Sequence, residues 1–201
     1  MKTQTKKKTS KHKNRTFKNN DFYSGDGFVT SIWGPAQWHI LHTISFNYPV
    51  NPTHQQKEQY KQYLLSLQHV LPCGACRKNL TKNFKRLPPN MCHFKNRDTF
   101  SKYIYQLHEL VNKMLHKKST LTYCDVRERY EHFRARCTTN EPIIPIIKKK
   151  TLKKLKKLKK EKGCTEPLYG KKARCIINIV PQENKGQSIQ INPKCIKQRT
   201  D

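Results

Sequence analysis

Acidic residues are scarce in this chain: 13 Asp and Glu stand against 42 Lys and Arg over 201 residues, a formal charge of +29. No apolar run approaches the ~20 residues that a membrane span requires. The first twenty residues are basic and polar, without the apolar segment that a secretory signal carries. A soluble protein that is not exported is therefore expected. Strand-like alternation is almost missing before residue 170, which argues against a thioredoxin-like layout of strands and helices around a sheet. The length suits one ordinary domain plus tails.

The positive charge is unevenly spread. Residues 1–20 hold eight Lys or Arg and no acid, and residues 148–162 hold ten Lys and one Glu. These two stretches carry more than half of the excess. Such runs could draw in nucleic acid or an anionic surface through phosphate contacts. Phe17 is the one Phe, Tyr or Trp in the two runs, too few to stack on successive bases, so solvated chain is the reading taken, and nucleic acid is not a required partner.

Cysteine, by contrast, is plentiful. Eight cysteines in a chain expected to stay unexported point to thiols kept for redox or metal work. The stretch Leu71-Pro72-Cys73-Gly74-Ala75-Cys76 sets two of them a C-x-x-C apart behind a proline that interrupts any preceding helix. Residues 77–85 read as the next helix, so Cys73 is expected at its N-terminus, where free N–H groups and the macrodipole favour an anion. Arg77 and Lys78 are expected to add positive charge beside it. Thiolates attack disulfides and bind metals, so the pair is suited to redox exchange or ligation.

Along the chain, a helix is expected over residues 35–47, with Pro35 at its first position. Trp38, Leu41, His42 and Ser45 fall on one stripe, with Trp38 and His42 one turn apart. Asn51 and Pro52 offer a cap and first-turn proline for a second helix over residues 53–70, whose Tyr60, Tyr63, Leu64, Leu67 and Leu71 keep helical spacing. A third runs from the C-x-x-C to residue 87 and stops at Pro88-Pro89. Asp98 can cap a fourth over residues 99–117, with Phe100, Ile104, Leu107, His108, Val111, Met114 and Leu115 on its apolar stripe. Thr122 and Asp125 form a capping-box pattern for a fifth through residue 136. The expected fold is all-α: a four-helix bundle with a short fifth helix.

Beyond Cys137 the pattern changes. Residues 141–145 cannot continue a helix, and Leu152, Leu155 and Leu158 suggest at most a weak basic amphipathic one. Residues 173–180 and 188–192 alternate across a turn at 184–186, consistent with a β-hairpin. The expected domains are a basic disordered tail over 1–27, a folded domain over 28–137, a Pro/Lys-rich linker over 138–163 and a Cys-containing extension over 164–201.

Three chemistries compete for the C-x-x-C. A zinc site could combine Cys73 and Cys76 with Cys92 and His93, across an interval of fifteen residues. However, Cys92 and His93 are adjacent, where a second spaced pair is usual. This gives the alternative function, a non-enzymatic basic protein binding zinc and nucleic acid. The thioredoxin-like reading fails for want of strands. In the third, a helical bundle holds a redox cofactor beside the dithiol. His42 and His108, on the inner stripes of two helices and accompanied by Trp38, look like the lining of a cavity.

At these residues the chain resembles the Erv/ALR-type FAD-linked sulfhydryl oxidases, especially those of large DNA viruses. The likeness covers residues 33–133. Gly34, Trp38 and His42, followed by Tyr48-Pro49, resemble the family's first helix, G-x-x-x-W-x-x-x-H…Y-P. Leu71-Pro72-Cys73-Gly74-Ala75-Cys76 resembles its C-x-x-C segment. His108, Val111, Asn112, Leu115 and Lys117 resemble H-N-x-V-N-x-x-L-G-K, and Val126, Arg129 and Tyr130 resemble the closing V-x-x-R-W.

The resemblance implies one FAD per subunit of a homodimer. It implies that Gly34, Trp38 and His42 contact the cofactor from the first helix. His108, Val111, Asn112 and Lys117 would contact it from the fourth, with Arg129 and Tyr130 closing the site. Cys76 would lie against the flavin, and Cys73 would exchange with thiol-containing protein substrates. O2 would take the electrons as H2O2. The host cytoplasm (a virus factory) or the virion is the location that the viral likeness implies.

The chain departs from the family pattern at several points. Glu109 stands for the family's Asn and His116 for its Gly. Tyr105 stands where many members have a structural cysteine, and a loop insertion precedes Cys124. The pairing of Cys92, Cys124 and Cys137 stays open. No second C-x-x-C or C-x-C is present to relay electrons; Cys164, Cys175 and Cys195 could do so, or could staple the tail, and the structural use is preferred.

Overall fold

Five helices follow in order: α1 (Thr30–Phe46), α2 (His54–Val70), α3 (Gly74–Arg86), α4 (Arg97–Met114) and α5 (Tyr123–Glu131). The computed structural model describes residues 22–24, 27–136, 166–168, 173–181, 183 and 191–192. The basic tail before residue 22, the lysine run at 148–162, and Cys137, Cys164 and Cys195 lie outside the described residues. α1 packs on α4 and α5, α2 on α3, and α3 on α4, with a 3-10 turn at Met91–Phe94 wedged against α2 and α4. This is the expected bundle with its short fifth helix.

The helix starts are fixed by their caps. Thr53, rather than Asn51, caps α2: its hydroxyl accepts the Gln56 N–H while the Gln56 side chain accepts the Thr53 N–H. Asn96, rather than Asp98, caps α4, paired with Thr99 in the same reciprocal way. Thr122 caps α5 with Asp125 as read from the sequence. α5 ends at Glu131, short of residue 136, because Ala135–Arg136 instead pairs antiparallel with Glu166–Pro167 as strands β1 and β2. Residues 173–181 form no strand, and the turn and most of the second strand of the expected hairpin, residues 184–190, lie outside the described residues.

α1 starts five residues before Pro35, which lies inside the helix. An interior proline leaves the carbonyl four residues earlier without its N–H. The extra turn is held from outside: the Phe28 N–H bonds the Pro72 carbonyl at 3.0 Å, and the Trp33 indole bonds the Phe28 carbonyl at 3.0 Å. Tertiary contact with the start of α3 therefore overrides the local stop signal.

The core is built on helical stripes. Leu41, Leu64, Leu67, Leu80, Ile104 and Leu107 meet aromatics from α4 and the 3-10 turn. Tyr48 and Tyr103, the largest fully buried side chains, keep their hydroxyls satisfied by the Phe94 and Leu87 carbonyls at 2.8 and 2.9 Å. Buried phenols need such partners. Burial, with Tyr60 beside it, pushes the Tyr48 phenol up to about 12. Tyr63 and Leu115, expected on inner stripes, are exposed.

α4 closes in a Schellman arrangement. The Lys117 N–H reaches the Asn112 carbonyl at 2.9 Å and the His116 N–H reaches that of Lys113 at 3.2 Å. His116 sits at φ 54° to make the turn, at the position where the family pattern has glycine. The helix consequently stops at Met114 rather than at residue 117.

Candidate active site

Cys73 is the N-cap of α3, and its Sγ accepts the Cys76 N–H at 3.2 Å. A side chain that accepts from the first turn answers one of the donors a helix start leaves free. Cys73 is buried and Cys76 half-buried, and both are free thiols. Burial pushes the Cys73 thiol up, but hydrogen bonds from the Cys76 thiol and N–H, the Thr30 hydroxyl and the Ala75 N–H outweigh it and hold it below the usual range. Burial, joined by the bond to Cys73, pushes the Cys76 thiol up. Of the two thiols, Cys73 is therefore the one whose ionisation the site favours.

Arg77 stays beside the dithiol, its guanidinium 3.5 Å from where a Gly74 Cβ would lie. Its guanidinium donates to the Leu71 and Phe22 carbonyls and lies 3.8 Å over the Phe22 ring. It serves as a clamp on the segment before α1. That segment crosses the dithiol: Gly27 bridges Cys73 in antiparallel fashion, and the backbone of Ser24 passes so close to Gly74 that a Cβ there would collide with it. Glycine at 74 is therefore required by close approach of two backbones. Thr30, at the first turn of α1, places its hydroxyl 3.5 Å from the Cys76 sulfur.

Further along α1, Trp38 and His42 meet His108 of α4. Trp38 stacks on His108 with centroids 4.0 Å apart, and His42 Nε2 lies 3.0 Å from His108 Nδ1. Tyr130 of α5 tilts over His42 at 5.2 Å and stacks on Phe46 at 5.4 Å. Burial, reinforced by His108 and His39, drops His42 to about 3, and burial with Lys117 nearby drops His108 to about 4. Both imidazoles are therefore neutral at pH 7. Burial also pushes the Tyr130 phenol up. The result is a neutral histidine–aromatic box joining three helices.

The structure brings the expected residues around this box. Gly34 is buried one turn before Trp38, Val111 and Asn112 are half-buried one turn beyond His108, and the Asn112 amide donates to Glu109 at 3.0 Å. Lys117, beyond the Schellman turn, lies close enough to His108 to act on its charge, and Arg129 does the same to Tyr130. At the 1.5 Å rise of a helix, Thr30 to His42 spans roughly 18 Å along α1, so one element carries both the dithiol contact and the box.

Three residues escaped the sequence reading. His39 Nδ1 meets the Tyr130 hydroxyl at 3.2 Å, Phe46 floors the box, and Thr30 meets Cys76. His39 and Phe46 keep helical spacing with His42 and could have been found; Thr30 falls before the expected helix start. Cys92 is exposed and His93 packs on Tyr103 at 4.5 Å. Among the described residues no three His, Cys, Asp or Glu side chains gather as a metal site.

Comparison with known proteins assigns the family. Residues 35–136 match the model of the Erv1 / Alr family, half of the chain. A probable FAD-linked sulfhydryl oxidase of Acanthamoeba polyphaga mimivirus is 33% identical over 99 residues, covering 49% of this chain and 68% of its own length. The mitochondrial FAD-linked sulfhydryl oxidase ERV1 of Saccharomyces cerevisiae is 33% identical over 84 residues, which cover 42% of this chain and 43% of the yeast protein. The FAD-linked sulfhydryl oxidase of African swine fever virus (isolate Pig/Kenya/KEN-50/1950) is 29% identical over 99 residues, 49% of this chain and 80% of that protein. The chain belongs to the Erv1/Alr family.

Proposed function

We propose that this member of the Erv1/Alr family is a FAD-dependent sulfhydryl oxidase that makes disulfide bonds in thiol-containing protein substrates. The observation that carries the reading is the arrangement on α1: a dithiol at a helix N-terminus touches its first turn, and a neutral histidine–aromatic box is built further along it.

The residues present fit FAD. The His42 Nδ1 is buried without a hydrogen-bond partner, a polar atom left for a ligand to satisfy. Gly34 is buried, yet a Cβ there would meet only the Thr30 methyl at 3.4 Å, so the chain's own packing does not demand glycine. Room beside α1 is the remaining use for it. Gly34, Trp38 and His42 would hold the cofactor from α1, and His108, Val111 and Asn112 from α4. Lys117 and Arg129 bring cations suited to a diphosphate, and Tyr130 closes the box.

When bound, FAD supplies the two-electron acceptor that returns the dithiol to its disulfide and hands the electrons to O2 as H2O2. The chain's own part is thiol exchange. A substrate thiolate attacks Cys73 of the Cys73–Cys76 disulfide; the bond between the two cysteines breaks, a mixed disulfide forms, and the electron pair leaves on Cys76. A second substrate thiolate then attacks the substrate sulfur of the mixed disulfide, releasing the oxidised substrate and leaving Cys73 as thiolate. The α3 N-terminus and the Cys76 N–H stabilise that thiolate.

The test is turnover of a dithiol by Cys76→Ser, with bound flavin quantified in the same sample. Loss of oxidase activity with flavin retained is expected. Undiminished turnover would remove Cys76 from the electron path.

A further inference from the structure

We propose that Thr30 is a positioning residue for Cys76, its hydroxyl donating a hydrogen bond to the sulfur as that sulfur becomes the leaving thiolate. The inference rests on the oxidase reading above, and it concerns a residue outside the set that the sequence pattern singles out.

The geometry comes first. Thr30 occupies the first turn of α1, the turn that sequence alone places outside the helix. That turn exists because the chain before it is pinned to the dithiol: Gly27 bridges Cys73, the Phe28 N–H bonds the Pro72 carbonyl, and Arg77 clamps Phe22. The same pinning brings the Thr30 Oγ1 to 3.5 Å from the Cys76 Sγ, within reach of a hydrogen bond to sulfur.

The chemistry then gives the contact a purpose. Cys73 has the Cys76 N–H, 3.2 Å away, to hold its charge. Cys76 sits two residues into α3, and burial disfavours a thiolate there. In the exchange step the Cys73–Cys76 bond breaks, the substrate–Cys73 bond forms, and the electron pair of the broken bond ends on Cys76. A thiolate cannot donate, so the Thr30 hydroxyl must be the donor in that state. A leaving thiol with a lower pKa leaves faster, so the hydroxyl speeds substrate attack on Cys73.

The test titrates Cys76 directly, in full-length protein carrying Cys73→Ser so that only one thiol of the pair remains. Alkylation of Cys76 by iodoacetamide is followed against pH by peptide mass spectrometry in the Thr30, Thr30→Val and Thr30→Ser forms. Thr30→Val should move the midpoint up by about one pH unit, seen as about tenfold slower alkylation near neutral pH, and Thr30→Ser should restore it. A purely structural role would give one midpoint in all three forms, and that result would overturn the proposal. Thr30 is exposed and Val fills the same shape, so equal thermal melts serve as the folding control. The measurement requires neither turnover nor bound flavin, so its failure is distinct from failure of the oxidase reading.

Discussion

His42 on α1 and His108 on α4 face one another through their ring nitrogens, Nε2 to Nδ1, at 3.0 Å. One imidazole must donate and the other accept, so at least the accepting ring is neutral, and burial keeps the second one neutral as well. Burial together with neighbouring positive charge holds His42 at about 3 and His108 at about 4. Their unfolded values lie near 6.5.

Between those limits the unfolded chain binds more protons than the folded one, so stability falls as pH falls. The contribution is complete above pH ~6.5, then erodes toward pH 4 by up to about 1.4 kcal/mol per unit for each ring. Urea midpoints of the apo protein at pH 7 and pH 5 should show the lower value at pH 5. The gap should shrink in His108→Gln. Equal midpoints at both pH values would mean that the rings are not held neutral by the fold.

His116 is a second point of strain. It takes φ 54° to close α4, a conformation that costs a non-glycine residue on the order of 1 kcal/mol. His116→Gly should therefore raise stability by about 0.5–1 kcal/mol in a denaturant titration, offset in part by the flexibility glycine adds to the unfolded chain. Lys117 is placed by the same turn, so flavin affinity should be unchanged. A destabilised glycine variant would show that the His116 side chain contributes more than the strain removes.

Gly27 tests the strap over the dithiol. It lies at φ 153°, and a Cβ would collide with the Pro72 carbonyl. Gly27→Ala should lift Gly27 and Phe28 from Pro72 and Cys73 and expose Cys73. Its alkylation by iodoacetamide should then become several-fold faster at fixed pH, while the helical far-ultraviolet signal stays constant. An unchanged rate would mean that reagent already reaches Cys73 by another side.

Much of this was legible in the sequence because helical spacing and capping residues are local. The five helices, and Trp38, His42 and His108 on inner faces, follow from periodicity, and Cys73 at the head of α3 follows from the proline before it. What was not legible depended on distant contacts. Pro35 reads as a helix start, yet the Phe28–Pro72 bond adds a turn before it. Asp98 reads as a cap, yet Asn96 wins with Thr99 as its partner, freeing Asp98 to pair with Lys102 one turn on at 2.7 Å. Arg77 reads as a charge beside the thiolate, but its grip on the Leu71 and Phe22 carbonyls, the latter 55 residues away, is not readable from the sequence. Thr30 was invisible because its meaning lies 46 residues away, at Cys76.

The most direct test of the whole account is the visible absorption spectrum of the purified full-length protein. A flavin band at close to one FAD per chain is expected, bleached by dithiothreitol without air and restored when air is admitted. A colourless protein that retained zinc and could not be reconstituted with FAD would contradict it.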